Sequence, residues 1–166
     1  MKTFFLVLFM ALAIQIQAQK TVIGGLSLET GAKTATLKLS SGEKKVNGGK
    51  IDYYYLSDKA NNLTITEAKY DAKNKIEYVA IYKANIADLE AGEYSSSQDQ
   101  NVGSYFSPKY FKIVANGRFK SFSYQADTNG KLQDPTEELS EQQAFIFNTQ
   151  KKADEWVKFL NKNLNK

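Results

Sequence analysis

Residues 144–164 read AFIFNTQKKADEWVKFLNKNL, and the hydrophobic period changes partway along. Ala144, Phe145, Ile146 and Phe147 form a continuous apolar run of strand-forming residues. From about Thr149 onward the apolar residues are Ala153, Trp156, Val157, Leu160 and Leu164. At about 100° per residue they fall in one stripe, with Lys151, Lys158 and Lys162 opposite. The spacing predicts an amphipathic helix over 149–164, about 24 Å long. Asn148 or Thr149 can cap its start, and Lys162 and Lys166 suit its negative end. Phe159 falls outside the stripe, so either a neighbouring loop covers it or it is an exposed contact point.

Upstream, short alternating segments separated by polar turns predict strands. They lie at 35–39, 51–56, 63–70 and 76–82. Leu63, Ile65 and Glu67 share one face, and Thr64, Thr66 and Ala68 the other. Ile76, Tyr78, Ala80 and Tyr82 are expected on one face, with Val79 and Ile81 behind them. Residues 19–34 read as a lead-in with one edge strand, and 42–49 as a turn region. Asn116-Gly117, between YFKIVA and RFKSFSY, predicts a two-residue hairpin turn, since both positions need positive φ. In that register Val114 faces Phe119 and Phe111 faces Phe122. The polar run at 95–101 predicts a mobile loop, and 127–142 a second loop.

Six or seven antiparallel strands closed by a helix carrying Trp156 resemble a pleckstrin-homology-like domain. The resemblance is carried mainly by the final strand and helix, residues 144–164. It implies an α+β fold: a strongly bent sheet or half-barrel closed by the C-terminal amphipathic helix. Phosphoinositide binding does not carry over. The family's basic cluster around the first strand is represented only by Lys38, Lys44, Lys45 and Lys50, without Arg. Fold alone does not fix function.

At the other end, Lys2 precedes an apolar run from Phe4 to Ile14 and a short polar stretch ending in Ala18. This is the layout of a cleaved secretory signal peptide. The run has 11 residues, and a membrane-spanning helix needs about 20. The expectation is a signal over 1–18 and a single domain over 19–166, exported to the periplasm or the cell exterior. No membrane span is expected in the mature chain. Losing Lys2 takes the net charge from +4 to +3. Arg118 is the single Arg among 22 basic residues, and nucleic-acid recognition relies on Arg, so no nucleic-acid partner is expected. With no Cys, the chain has no disulfide and no thiolate chemistry. With no His, it has neither the commonest general base nor the commonest transition-metal ligand. An exported bacterial domain of this kind must be held by its core alone.

Tyr53, Tyr54 and Tyr55 are the most conspicuous candidate site. On a strand Tyr53 and Tyr55 share a face that could stack on a sugar or a flat ligand, and Tyr54 takes the other. The plainer reading is a half-buried strand with hydroxyls reaching solvent. Phe159 joins them as a candidate ligand contact. Carboxylate-pair catalysis by Glu137, Glu138 and Glu141 or by Asp154 and Glu155 is disfavoured, because these acids lie on a loop and a helix surface. The acidic stretch from Asp127 to Asp134 superficially suits calcium. Lys131 at its fifth position opposes a cation, which leaves an Asn-Gly turn. Asn62-Leu63-Thr64 is a glycosylation sequon placed where a turn ends. No catalytic residue, metal or cofactor is expected. The expected function is non-enzymatic binding or protein interaction, with an unidentified protein or small molecule as partner. The alternative is a lipocalin-like carrier of a small hydrophobic molecule, which needs a hollow interior.

Overall fold

The computed structural model describes residues 19–31, 33–38, 49–99 and 110–164. The proposed signal over 1–18 and nearly all of the 42–49 turn region lie outside them. Nine strands and one α-helix appear in chain order: β1 Gln19–Ile23, β2 Leu26–Thr30, β3 Lys33–Lys38, β4 Lys50–Ser57, β5 Asn62–Tyr70, β6 Ile76–Asn85, β7 Ser97–Asp99, β8 Tyr110–Gln125, β9 Thr136–Phe147 and α1 Gln150–Leu164. Among these, β1 and β2 pair with each other alone, and the other seven form one antiparallel sheet. Its order is β3-β4-β5-β6-β8, with β9 and β7 also on β8. The sheet curls until β3 comes close to β9, but no ladder joins these edges among the described residues, so the barrel stays open.

Helix α1 fills the concave side. Ala153, Trp156 and Leu160 are buried, and Val157 and Leu164 pack beside them. The Trp156 ring lies 5.5 Å from Phe145, 5.6 Å from Tyr55 and 6.4 Å from Phe147. The helix starts where Thr149 Oγ1 accepts from the Lys152 amide at 3.4 Å. The convex side holds a second core of Ala68, Ile76, Val79 and Ile81, covered by Ile23 and Leu28 of the β1–β2 hairpin. That hairpin replaces the single edge strand expected over 19–34. Its turn uses Gly24 and Gly25 at φ 57° and 88°, a conformation that glycine adopts without steric cost.

Three connections use one turn. Asp58, Asp71 and Asp127 each accept two backbone amides on Oδ1: Ala60 and Asn62, Lys73 and Lys75, Asn129 and Lys131, all at 2.8–2.9 Å. The fourth residue of each turn has positive φ: Asn61 at 61°, Asn74 at 62° and Gly130 at 80°. Asn and Gly tolerate this region best, and an Asp side chain can mimic the backbone acceptor of a turn. The acidic stretch opening at Asp127 is therefore a turn: the Asp127 carboxylate serves its own backbone.

The expected hairpin at Asn116-Gly117 does not form. Strand β8 runs straight through it, with a one-residue slip in register between Asn116 and Phe119. Both edges of β8 are occupied there. Strand β9 lies on one side; on the other, β6, then Leu89 and Glu90, then β7 follow in turn. The Glu90 amide donates to the Asn116 carbonyl at 2.9 Å. Leu89 comes so near that a Cβ on Gly117 would lie 2.6 Å from its Cα. Glycine here answers a bulge and a close backbone approach rather than a reversal. Consequently Phe111 faces Phe147, Val114 faces Ala144, Phe119 faces Ser140, and Phe122 lies between Ile81 and Glu137.

Other expectations shift with it. The second loop ends early, because β9 begins at Thr136. Within the polar run, Ser97–Asp99 form β7 against β8, and Ser96 Oγ donates to Asp154 at 3.0 Å, so part of that run is structured. A register irregularity at Lys69/Tyr70 moves Ile76 to the face of Val79 and Ile81, away from Tyr78, Ala80 and Tyr82.

Candidate functional site

Tyr53, Tyr54 and Tyr55 do not form one ligand-facing cluster. Tyr55 is 1% exposed and lies inside the aromatic core against Phe145, Phe147 and Trp156. Tyr54 points to the convex side, where burial and the nearby Asp52 push its hydroxyl up to about 12. Tyr53 shares the concave face with Tyr55, its ring stacked 6.5 Å away. Phe159 packs edge-on against Trp156 at 5.2 Å. The 94–96 segment lies on the same helix, Asn161 exchanging hydrogen bonds of 2.8 and 3.0 Å with the Tyr94 backbone. Phe159 thus extends the core. Asn62, in the sequon, donates from its side-chain amide to Asp58 at 2.8 Å.

The residues that converge are Tyr53, Glu67, Tyr78 and Tyr82. Glu67 on β5 stands directly opposite Tyr53 on β4 and opposite Ala80 on β6. Beyond Ala80 the next opposite residue is Ser123 on β8. This row is small in its middle. Tyr78 and Tyr82 flank it two positions either way along β6, so their side chains share the face of Ala80. The result is a floor of two small residues, Ala80 and Ser123, between two tyrosines, with a carboxylate at one end. It lies on the same concave face as the region that α1 fills, further along the strands.

The electrostatics follow from burial. The Tyr78 hydroxyl donates to Glu67 Oε1. Burial raises the Glu67 carboxyl above its ordinary value, while the Tyr78 hydrogen bond and Lys69 pull it back. Lys69 is itself 2.9 Å from Glu77. Burial, then the Glu67 charge, raises the hydroxyls of Tyr53, Tyr78 and Tyr82. All three stay protonated and can donate. Tyr53 is 8% exposed, and among the described residues its hydroxyl makes no hydrogen bond. An orphaned buried hydroxyl is costly and calls for a partner. Tyr53 was visible in the tyrosine run, but Glu67 was not singled out. Its signal was an acid on the inward face of a strand whose neighbours Leu63 and Ile65 are core residues.

Two of the other candidate acids have plain partners. Glu137 pairs with Lys120 at 2.6 Å, and Asp154 accepts from Ser96. Among the described residues no group of three or more His, Cys, Asp or Glu could hold a metal ion. No helix there is long and apolar enough to cross a membrane. In comparisons with family models, curated proteins and solved structures, nothing matches this chain.

Proposed function

We propose that this chain is an exported, non-enzymatic binding module that takes a small polar ligand on its concave face, at Glu67. The observation that carries the reading is the Tyr53 hydroxyl: buried, protonated and unpartnered among the described residues, beside a carboxylate and two further tyrosine hydroxyls. A ligand with hydrogen-bond donors and acceptors would satisfy it. The site offers acceptors and donors but no activated nucleophile, which favours binding over turnover. The carrier alternative needs space for a hydrophobic molecule. Beneath α1 that space is taken by Tyr55, Phe145, Phe147 and Trp156, with ring centroids 5.2–6.4 Å apart.

The test is native mass spectrometry of the mature chain purified from its host's envelope fraction. A retained small mass, lost in Tyr53→Phe and Glu67→Gln, is the expected result. A wild-type chain that carries no added mass and gains none from the host's small-molecule extract overturns the reading. A retained mass that survives both substitutions moves the ligand away from Glu67.

A further inference from the structure

Where β5 and β6 meet the 3-10 turn, beside Lys83 and Lys120 over the Phe122 ring, lies an open groove of about 620 Å³ whose lining includes Lys83, Asp88, Arg118, Lys120 and Leu139. We propose that it docks an extended acidic peptide, with Lys83, Arg118 and Lys120 receiving its carboxylates and Leu139 an apolar side chain between them. This site is independent of the one at Glu67.

The argument starts from an electrostatic liability. Lys83 on β6 and Lys120 on β8 are directly opposite in register. Like charges so placed oppose the pairing of their strands. Both ammonium groups lie near the Phe122 ring, at 5.6 and 5.3 Å. Glu137 answers Lys120 at 2.6 Å. Lys83 and Arg118 have no ion-pair partner among the described residues. The groove's own acid, Asp88, already accepts from the Asn85 amide in the capping box of the 3-10 turn Ile86–Asp88. With Lys83, Arg118 and Lys120 against the single acid Asp88 in its lining, the groove carries a net positive charge.

Spacing selects the occupant. Arg118 and Lys120 are two residues apart on one strand, so their side chains repeat at about 7 Å on one face. Alternate side chains of an extended peptide repeat at the same distance. Leu139 stands opposite Lys120 on β9 and is 71% exposed. An extended chain with acids at alternate positions and an apolar residue toward Leu139 meets all of these groups at once. Arg, the residue best suited to phosphate, contributes one side chain, which favours peptide carboxylates over a phosphate surface.

The test titrates a fluorescent peptide of alternating Glu and Leu into the mature chain and follows anisotropy at low and high salt. Alongside run a Gln–Leu peptide, phosphatidylglycerol vesicles, the triple variant Lys83→Gln, Arg118→Gln, Lys120→Gln, and Glu67→Gln. The acidic peptide should bind wild type and Glu67→Gln alike and weaken with salt. It should lose at least about tenfold in affinity in the triple variant, while the Gln–Leu peptide stays unbound. The triple variant should melt close to wild type, since relief of the Lys83–Lys120 like-charge pair offsets loss of the exposed Lys120–Glu137 pair. Absence of peptide binding, equal binding to the triple variant, or binding of vesicles in place of peptide overturns the proposal.

Discussion

The hydroxyl of Tyr55, on β4, serves the edge of β9: it donates to the Ile146 carbonyl at 2.9 Å and accepts from the Ile146 amide. Ile146 faces Lys112 across the β8–β9 ladder. In an antiparallel pair every second residue turns its N–H and C=O away from its neighbour. At Ile146 those two groups face the unclosed side of the barrel, where a further strand would otherwise have paired them. One phenol replaces that strand, and its ring belongs to the same aromatic core as Trp156.

Tyr55→Phe keeps the ring and removes the bridge. Two buried backbone groups then lose their partner, at a cost of about 1–3 kcal/mol. Urea denaturation followed by Trp156 fluorescence measures it. A loss below about 0.5 kcal/mol, the low end for one ordinary hydrogen bond, would mean that water reaches Ile146 and the edge needs no phenol.

Trp156→Ala should cost about 3–5 kcal/mol, because it empties the centre of the cluster formed with Tyr55, Phe145 and Phe147. Calorimetry gives the shift. A variant that melts within a few degrees of wild type is incompatible with a docked helix.

Gly117→Ala should destabilise by about 1–3 kcal/mol, since its φ is +146° and the new Cβ would meet the Asp88 carbonyl and the Leu89 Cα, both at 2.6 Å. Gly92→Ala is the control, with nothing within 4 Å of the added carbon. If the two variants melt together, β8 does not pass beside Leu89 as described.

The pH dependence should carry two opposite signs. Burial raises the Glu67 carboxyl above its ordinary 4.5. The folded chain then keeps a proton that the unfolded chain has released. Stability from this group is full below 4.5 and declines as pH rises through the folded value. Asp58 is held below its ordinary 3.8, first by the Asn62 side chain and then by the Asn62 amide. Its contribution is present above 3.8 and fades as pH falls through the lowered value. Urea midpoints across the acid range should therefore flatten on the alkaline side in Glu67→Gln and on the acid side in Asp58→Asn. A Glu67→Gln profile parallel to wild type would show that the carboxylate is solvated rather than buried.

The sequence made the α+β class legible because its strongest signals are local. The helix stripe from Ala153 to Leu164 and the alternation from Leu63 to Ala68 each reflect a side-chain period that the backbone imposes. The polar turns were legible too, but that three of them share one geometry emerged only when Asp58, Asp71 and Asp127 were seen making the same bonds. The candidate site was half legible. Tyr53 stood out in its tyrosine run, whereas Glu67 was placed on the face of Leu63 and Ile65 without being singled out. What gives the half-buried Glu67 its surroundings is the partner strand, and Tyr53 opposite it lies 14 residues away in the chain.

By itself the sequence determined which segments alternate, which stripe of the final helix is apolar, and that Cys and His chemistry is absent. These follow from composition and from periods of two and about 3.6 residues. Tertiary structure alone decided that Asn116-Gly117 would stay inside a strand. An isolated Asn-Gly prefers to reverse the chain, but Leu89 and Glu90 on one edge and β9 on the other hydrogen-bond β8 around it, and together they outweigh the local preference. The fate of each tyrosine was decided in the same way. Neighbours in the chain, Tyr53, Tyr54 and Tyr55 meet a carboxylate, a convex core and a strand edge, because each environment is assembled from strands distant in sequence.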